Sequence, residues 1–310
     1  MELTFFFEVL IGGLLSGVLY ALVALGFVLI FKASGVFNFA QGAMVFFAAL
    51  TFVGFIEVLP GWTGLAEGGA AVFWLAFVLA LASMIVLGIA TEKIVLRPLV
   101  NQPPITLFMA TIGLSFLVEG IAQGIWGANV RGLDLGIEDV PIEYMMDNFN
   151  ILISKFDLVA AALAGVLVGS LALFFQYTKV GRALRAVADD HQAALSIGIP
   201  LQHIWAIVWG VAGFVALVAG MIWGARNGVQ FALTFTALKA LPVLILGGFT
   251  SVPGAIVGGL IIGASEKLAE VYVGPFVGGG IESWFPYVLA LLFLLVRPEG
   301  LFGERHIDRV

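Results

Sequence analysis

Residues 9–31, VLIGGLLSGVLYALVALGFVLIF, contain no charged side chain. At 1.5 Å per helical residue the stretch crosses the roughly 30 Å of hydrocarbon in a bilayer. Similar apolar runs recur at about 39–59, 71–91, 104–126, 157–177, 202–224 and 284–297. In lipid every backbone amide needs an internal partner, and uninterrupted runs of this kind supply one as helices. A β-barrel would alternate apolar and polar residues, and these runs do not. The stretch 230–272 exceeds one crossing and is interrupted by Pro242, Gly247, Gly248, Pro253 and Gly254. It reads as two helices, or as a short re-entrant piece followed by one full helix. The expected fold is all-α: a polytopic transmembrane helical bundle of eight or nine segments, one of them re-entrant or broken, in a single domain over 1–310.

Composition agrees. The chain is 61% hydrophobic and 11% charged, against about a quarter charged in a soluble domain, and its mean hydropathy is +1.11. It has no cysteine, which removes disulfide and thiol chemistry. No Lys or Arg precedes Lys32, so the first span reads as retained rather than as a cleaved signal peptide.

The basic residues sort by side. Nine of the fourteen (Lys32, Lys93, Arg97, Lys179, Arg182, Arg185, Arg297, Arg305 and Arg309) fall at alternate span ends that share one face. Arg131, Lys155 and Arg226 fall on the other, beside the acidic loop 127–157, and Lys239 and Lys267 lie in or beside apolar segments. The positive-inside rule puts the N-terminus outside and the C-terminus in the cytoplasm, given nine crossings or eight plus one partial element. Small residues four apart (Gly13/Gly17, Gly165/Gly169, Gly220/Gly224, Gly254/Gly258 and Gly259/Gly263) mark faces where helix backbones approach closely.

One connection on the basic side stands out: TKVGRALRAVADDHQAALSIGIPL, residues 178–201. After Gly181 it reads as a short amphipathic helix over about 182–198. Ala183, Leu184, Val187, Ala194, Leu195 and Ile197 form its apolar side; Arg182, Arg185, Asp189, Asp190, His191 and Gln192 form its polar side. A helix resting on lipid headgroups is one reading. The adjacent acids Asp189 and Asp190 favour docking in a cleft of another protein. The run from Gln192 to Gly198 resembles the EAA-type loop, EAA-three residues-G, by which ABC importer permeases engage their ATPase, with Gln in place of Glu.

From end to end the chain resembles the LivH-type permeases of branched-chain amino acid ABC importers. The matching blocks are GGLLSGVLYALVALGFVLIF (12–31), GVFNFAQGAM (35–44), GRALRAVADDHQAALSIGI (181–199), ALKALPVLILGGFTSVPGAIVGGLIIGASE (237–266) and LLVRPEGLFG (294–303). Where that family shows NFAHGE, this chain has Asn38-Phe39-Ala40-Gln41-Gly42-Ala43. The resemblance implies a translocation subunit for branched-chain or other apolar amino acids in the bacterial inner membrane. It also implies two ABC ATPase subunits, a second permease (LivM-like, or another copy of this chain) and a periplasmic or extracellular substrate-binding protein. Close relatives import urea and short amides, which stands as an alternative cargo, and a passive channel or secondary transporter is the competing class.

No GxxxxGK[ST] loop is present, so ATP and its magnesium are expected on partner chains and no cofactor on this one. His191, His203 and His306 form no HExxH spacing and no GxSxG elbow occurs, so neither a metal site nor a catalytic residue is expected. Apart from the protein partners and the lipid bilayer, none is expected; nucleic acid is not. The ionisable residues inside apolar spans are Glu119, Lys239 and Glu266, with Lys267 and Glu270 near a helix end. Such residues are functional suspects, although Lys239 can snorkel to an interface and Glu119 can face water at a helix end. Asn38 and Gln41 lie at an early interruption, between Gly35 and Gly42. Lys239 and Pro242 lie at a late one. Paired broken segments in the two halves point to a midmembrane path; ordinary surface loops at both places are the other reading.

Overall fold

The computed structural model describes residues 2–99, 102–189, 194, 196 and 198–303. Its long elements are α1 (Glu2–Ser34), α2 (Gln41–Thr63), α3 (Ala70–Ala90), α4 (Pro104–Trp126), a short α5 (Glu143–Phe149) and α6 (Lys155–Tyr177). There follow α7 (Lys179–Asp189), α8 (Leu201–Asn227), α9 (Leu233–Leu238), α10 (Ala240–Gly247), α11 (Val252–Tyr272) and α12 (Phe285–Val296). Seven of these helices are long and apolar enough to span a membrane, so the chain is a multi-pass membrane protein. The 230–272 stretch resolves into a broken pair, α9 and α10, followed by the full helix α11. Pro242 explains the break: it has no N–H to give the Leu238 carbonyl, so the helix ends there and restarts with the proline in its first turn.

By internal contacts the chain forms two compact units. One holds the described residues of Met1–Val28, Gly136–Phe174 and Lys239–Val310; the other holds Leu29–Leu135 and Phe175–Leu238.

In the first unit α11 carries two glycine faces. A Cβ at Gly17 would lie 2.5 Å from the Gly259 carbonyl oxygen, and one at Gly13 would lie 2.7 Å from that of Gly263. On its other side, Gly258 would meet the Val243 carbonyl at 2.7 Å, and Gly254 and Gly247 abut backbone to backbone. These contacts fasten α1 and α10 to α11 at distances only glycine permits. The last turn of α10 needs partners for its terminal carbonyls. Gly248 N donates to Leu244 O at 2.8 Å, Leu301 N to Leu246 O at 2.8 Å and Phe302 N to Gly247 O at 3.1 Å. The PEGLFG segment therefore caps a helix more than fifty residues earlier.

The second unit is built around α2, which packs against α3, α4, α8 and α9. Gly220 of α8 meets the Val45 carbonyl, 2.5 Å from where a Cβ would sit. The indole of Trp126 lies over Gly54 and donates from Nε1 to Thr51 Oγ1 at 3.2 Å. Beyond α3 the helix widens into a π-turn over Thr91–Leu96. There Arg97 donates to both oxygens of the buried Glu92 at 3.1–3.2 Å. The apolar count that ends this span near 91 gives no sign of that extension.

Candidate functional site

In the second unit, α1 ends on Gly35, whose φ of +66° is left-handed, and the chain turns inward. Asn38 is fully buried. Its Oδ1 accepts from Ala40 N at 3.2 Å, a local side-chain turn that launches α2. Its Nδ2 donates to Gln41 Oε1 at 3.3 Å and to Met44 Sδ at 3.5 Å. Thr111 Oγ1 accepts from Phe39 N at 3.2 Å and lies 3.2 Å from Phe37 O and 2.8 Å from Phe108 O, either of which can take its proton. Thr111 is seven residues into α4, about 10 Å along its axis. The 35–40 link therefore lies inside the unit rather than across its end.

Thr111, Ser115 and Glu119 are spaced four apart, so they share one face of α4, and all three are buried. Ser115 Oγ donates to Glu119 Oε1 at 3.3 Å. At the start of α2, a Cβ on Gly42 would lie 2.5 Å from the Thr234 carbonyl at the start of α9. The early interruption thus touches the start of α9 backbone to backbone. Two buried polar atoms here find no hydrogen-bond partner among the described residues, Gln41 Nε2 and Thr234 Oγ1. The Thr234 hydroxyl lies near the Glu119 carboxylate without closing a bond of good geometry. Unmet buried donors of this kind cost about 1–3 kcal/mol each, so folding alone does not explain them.

In the first unit, Lys239 stands at the N-cap of α10 and donates from Nζ to Glu266 Oε1 at 2.9 Å. Tyr20 Oη donates to the same oxygen at 3.1 Å, and Pro242 is buried in the first turn of α10. Lys267 pairs with Glu282 at 2.8 Å, and Glu270 accepts from Gly280 N and Glu282 N at 2.8 and 2.9 Å. These last two close the 278–282 loop rather than line a path. Sequence reasoning singles out Asn38, Gln41, Glu119, Lys239, Pro242 and Glu266 as candidates. It missed Tyr20, Thr111, Ser115 and Thr234; of these only the four-residue spacing on α4 is a signal visible in the sequence.

The α7 segment adjoins the end of α6. Leu184 and Val187 are buried, and Gly181 sits where any Cβ would strike the Phe175 backbone. Arg182 donates to Tyr177 O at 3.2 Å; Arg185 donates to Phe175 O at 2.8 Å and Gln176 O at 3.2 Å. Asp189 is the last residue of α7, while Asp190, His191 and Gln192 lie outside the described residues, as do Arg305 and Arg309. Gly198 follows in a left-handed turn, φ +85°.

A family profile described as "Branched-chain amino acid transport system / permease component" matches residues 9–297. Among curated proteins, the "High-affinity branched-chain amino acid transport system permease protein LivH" of Escherichia coli (strain K12) is 27% identical over 100% of this chain and 99% of its own length. The BraD permease protein of Pseudomonas aeruginosa, with the same description, is 26% identical over 100% and 99%. A probable LivH of Methanocaldococcus jannaschii is 25% identical over 95% of this chain and 92% of that one.

Proposed function

Since this chain belongs to the permease-component family of branched-chain amino acid transport systems, we propose that it is the translocation subunit of an ATP-driven importer for branched-chain or other apolar amino acids. The observation that carries the path is the meeting, inside the second unit, of the Gly-flanked break before α2 with the start of α9. The start of α2 lies against the start of α9 through Gly42 and Thr234, with Gln41 Nε2 and Thr234 Oγ1 left for a passing solute. Asn38, Gln41 and Glu119 of the second unit are assigned to that path, and Lys239 and Pro242 of the first unit are assigned to translocation as well. A lining of few polar atoms among many apolar ones lets an apolar amino acid pass without trapping it. Tight selection then belongs to a separate binding protein outside the membrane.

The protein lies in the bacterial inner membrane with its N-terminus outside and its C-terminus in the cytoplasm. ATP and magnesium act on two ABC ATPase subunits. The segment 182–198, with Arg182, Arg185, Asp189, Asp190, His191, Gln192 and Gly198, is the handle they grip. One chain offers one such handle, so a second permease, LivM-like or another copy, completes the complex. Their closure must favour one arrangement of the helices through differential contacts.

The test is reconstitution in liposomes with the two ATPases and the binding protein. Leucine-loaded binding protein is expected to stimulate ATP hydrolysis and leucine uptake together. A bifunctional reagent, a maleimide joined to an amine-reactive ester, is expected to link the thiol of a Ser196→Cys chain to a lysine of an ATPase subunit. Leucine that crosses equally well without the ATPases would replace the importer with a passive channel, and urea carried in its place would reassign the cargo.

A further inference from the structure

Glu266 lies inside α11, six residues or about 9 Å short of its end at Tyr272, and is 1% exposed. Its bonding is lopsided. Oε1 accepts from both Lys239 Nζ and Tyr20 Oη, while Oε2 is shielded and meets no donor among the described residues. An ionised carboxylate has acceptor sites on both oxygens, and a buried one without donors is costly enough to need an explanation. The Lys239 side chain, in contrast, remains 25% exposed. Its Nζ also lies 5.9 Å from the centroid of the Tyr20 ring, whose face attracts an ammonium. The pair is thus closed on the carboxylate side and open on the ammonium side, beside the break between α9 and α10.

We propose that Glu266 and Lys239 form the head-group subsite for a free α-amino acid in its zwitterionic form. The substrate α-ammonium donates to Glu266, filling Oε2, and the substrate α-carboxylate accepts from Lys239. Tyr20 keeps its bond to Oε1 and fixes the carboxylate while Lys239 swings over the ring. At rest the two side chains neutralise each other; with substrate, two crossed ion pairs replace one, and the net charge of the site stays zero. A lone cation would strand Lys239, and a lone anion would strand Glu266. Stranding a buried charge is far costlier than exchanging its partner. A neutral solute such as urea brings nothing to displace Lys239. The subsite therefore selects the zwitterion by penalising solutes that carry half of it or none.

This inference rests on amino-acid transport as proposed above, and the experiment separates the two. Leucine uptake per ATP hydrolysed is measured in liposomes holding the whole complex and the binding protein, for wild type, Glu266→Gln and the double variant Lys239→Met/Glu266→Met. Co-elution of the ATPases checks assembly. The double variant leaves no unpaired charge, so a pair that merely clamps helices tolerates it. Both variants are expected to lose at least about tenfold in leucine per ATP, the scale of losing a buried charge partner. Assembled variants that stay within about twofold of wild type, while wild type moves leucine, overturn the subsite and leave the transport reading standing. A wild-type complex that moves no amino acid overturns both.

Discussion

At Gly17 a side chain has nowhere to go: its Cβ would lie 2.5 Å from the Gly259 carbonyl, and the obstacle is backbone, which cannot rotate away. Gly17→Val is expected to destabilise the protein by about 1–3 kcal/mol or more, the range for overpacking. The same change at Gly169, which has nothing within 4 Å, is expected to have no effect. Thermal midpoints in detergent, read by size-exclusion after heating, compare the two. The spacing that marks Gly13/Gly17 also marks Gly165/Gly169, because a four-residue interval defines a helix face and says nothing about what the face meets. Gln41 differs in kind. Its Nε2 is buried with no partner among the described residues, so Gln41→Leu removes an unmet donor of about 1–3 kcal/mol but also the acceptor of Asn38 Nδ2, which keeps only Met44 Sδ. These two effects oppose each other, so the expected result is little-changed thermal stability with lower leucine uptake. A fall in stability with uptake intact would assign Gln41 to packing instead. The buried positions of Asn38 and Gln41 were not readable in sequence, since Gly-flanked polar residues between two apolar runs look alike on a surface and inside a bundle.

The elements were largely legible because a span writes itself in composition, and the break at Pro242 is written in the missing N–H. Amphipathic patterning also marks α7, but its arginines hold a second duty that patterning cannot express: they donate to the carbonyls of Phe175, Gln176 and Tyr177 at the end of α6. Hydrogen bonds to a charged donor contribute about 1.5–3 kcal/mol. Arg185→Ala is therefore expected to loosen the corner between α6 and α7, seen as faster amide hydrogen exchange over 178–187. Unchanged exchange there would free Arg185 for a purely external role. Any loss of ATPase association in an arginine variant needs this control, because a loosened corner displaces the whole segment. The π-turn at 91–96 is the opposite case. It depends on Glu92 and Arg97 meeting five residues apart, an interval that no regular helix pattern flags.

For the whole molecule, the sequence carries a sharper expectation of sidedness than of the number of crossings. Charges sort by loop, whereas α9 with α10 and the twelve-residue α12 fall short of the twenty residues or so that mark a crossing. The absence of cysteine makes the proposed orientation directly testable. A single thiol at the exposed Glu138 is expected to react with a membrane-impermeant maleimide in intact cells, and one at the exposed Lys179 only after permeabilisation. The reverse pattern inverts the molecule. The cap on α10 has a consequence for synthesis. Leu301 and Phe302 leave the ribosome more than fifty residues after Leu246 and Gly247, so until then the end of α10 lacks these two donors. Capping of this helix thus waits on a segment made more than fifty residues later, and a chain cut short before Leu301 leaves the Leu246 and Gly247 carbonyls without these donors.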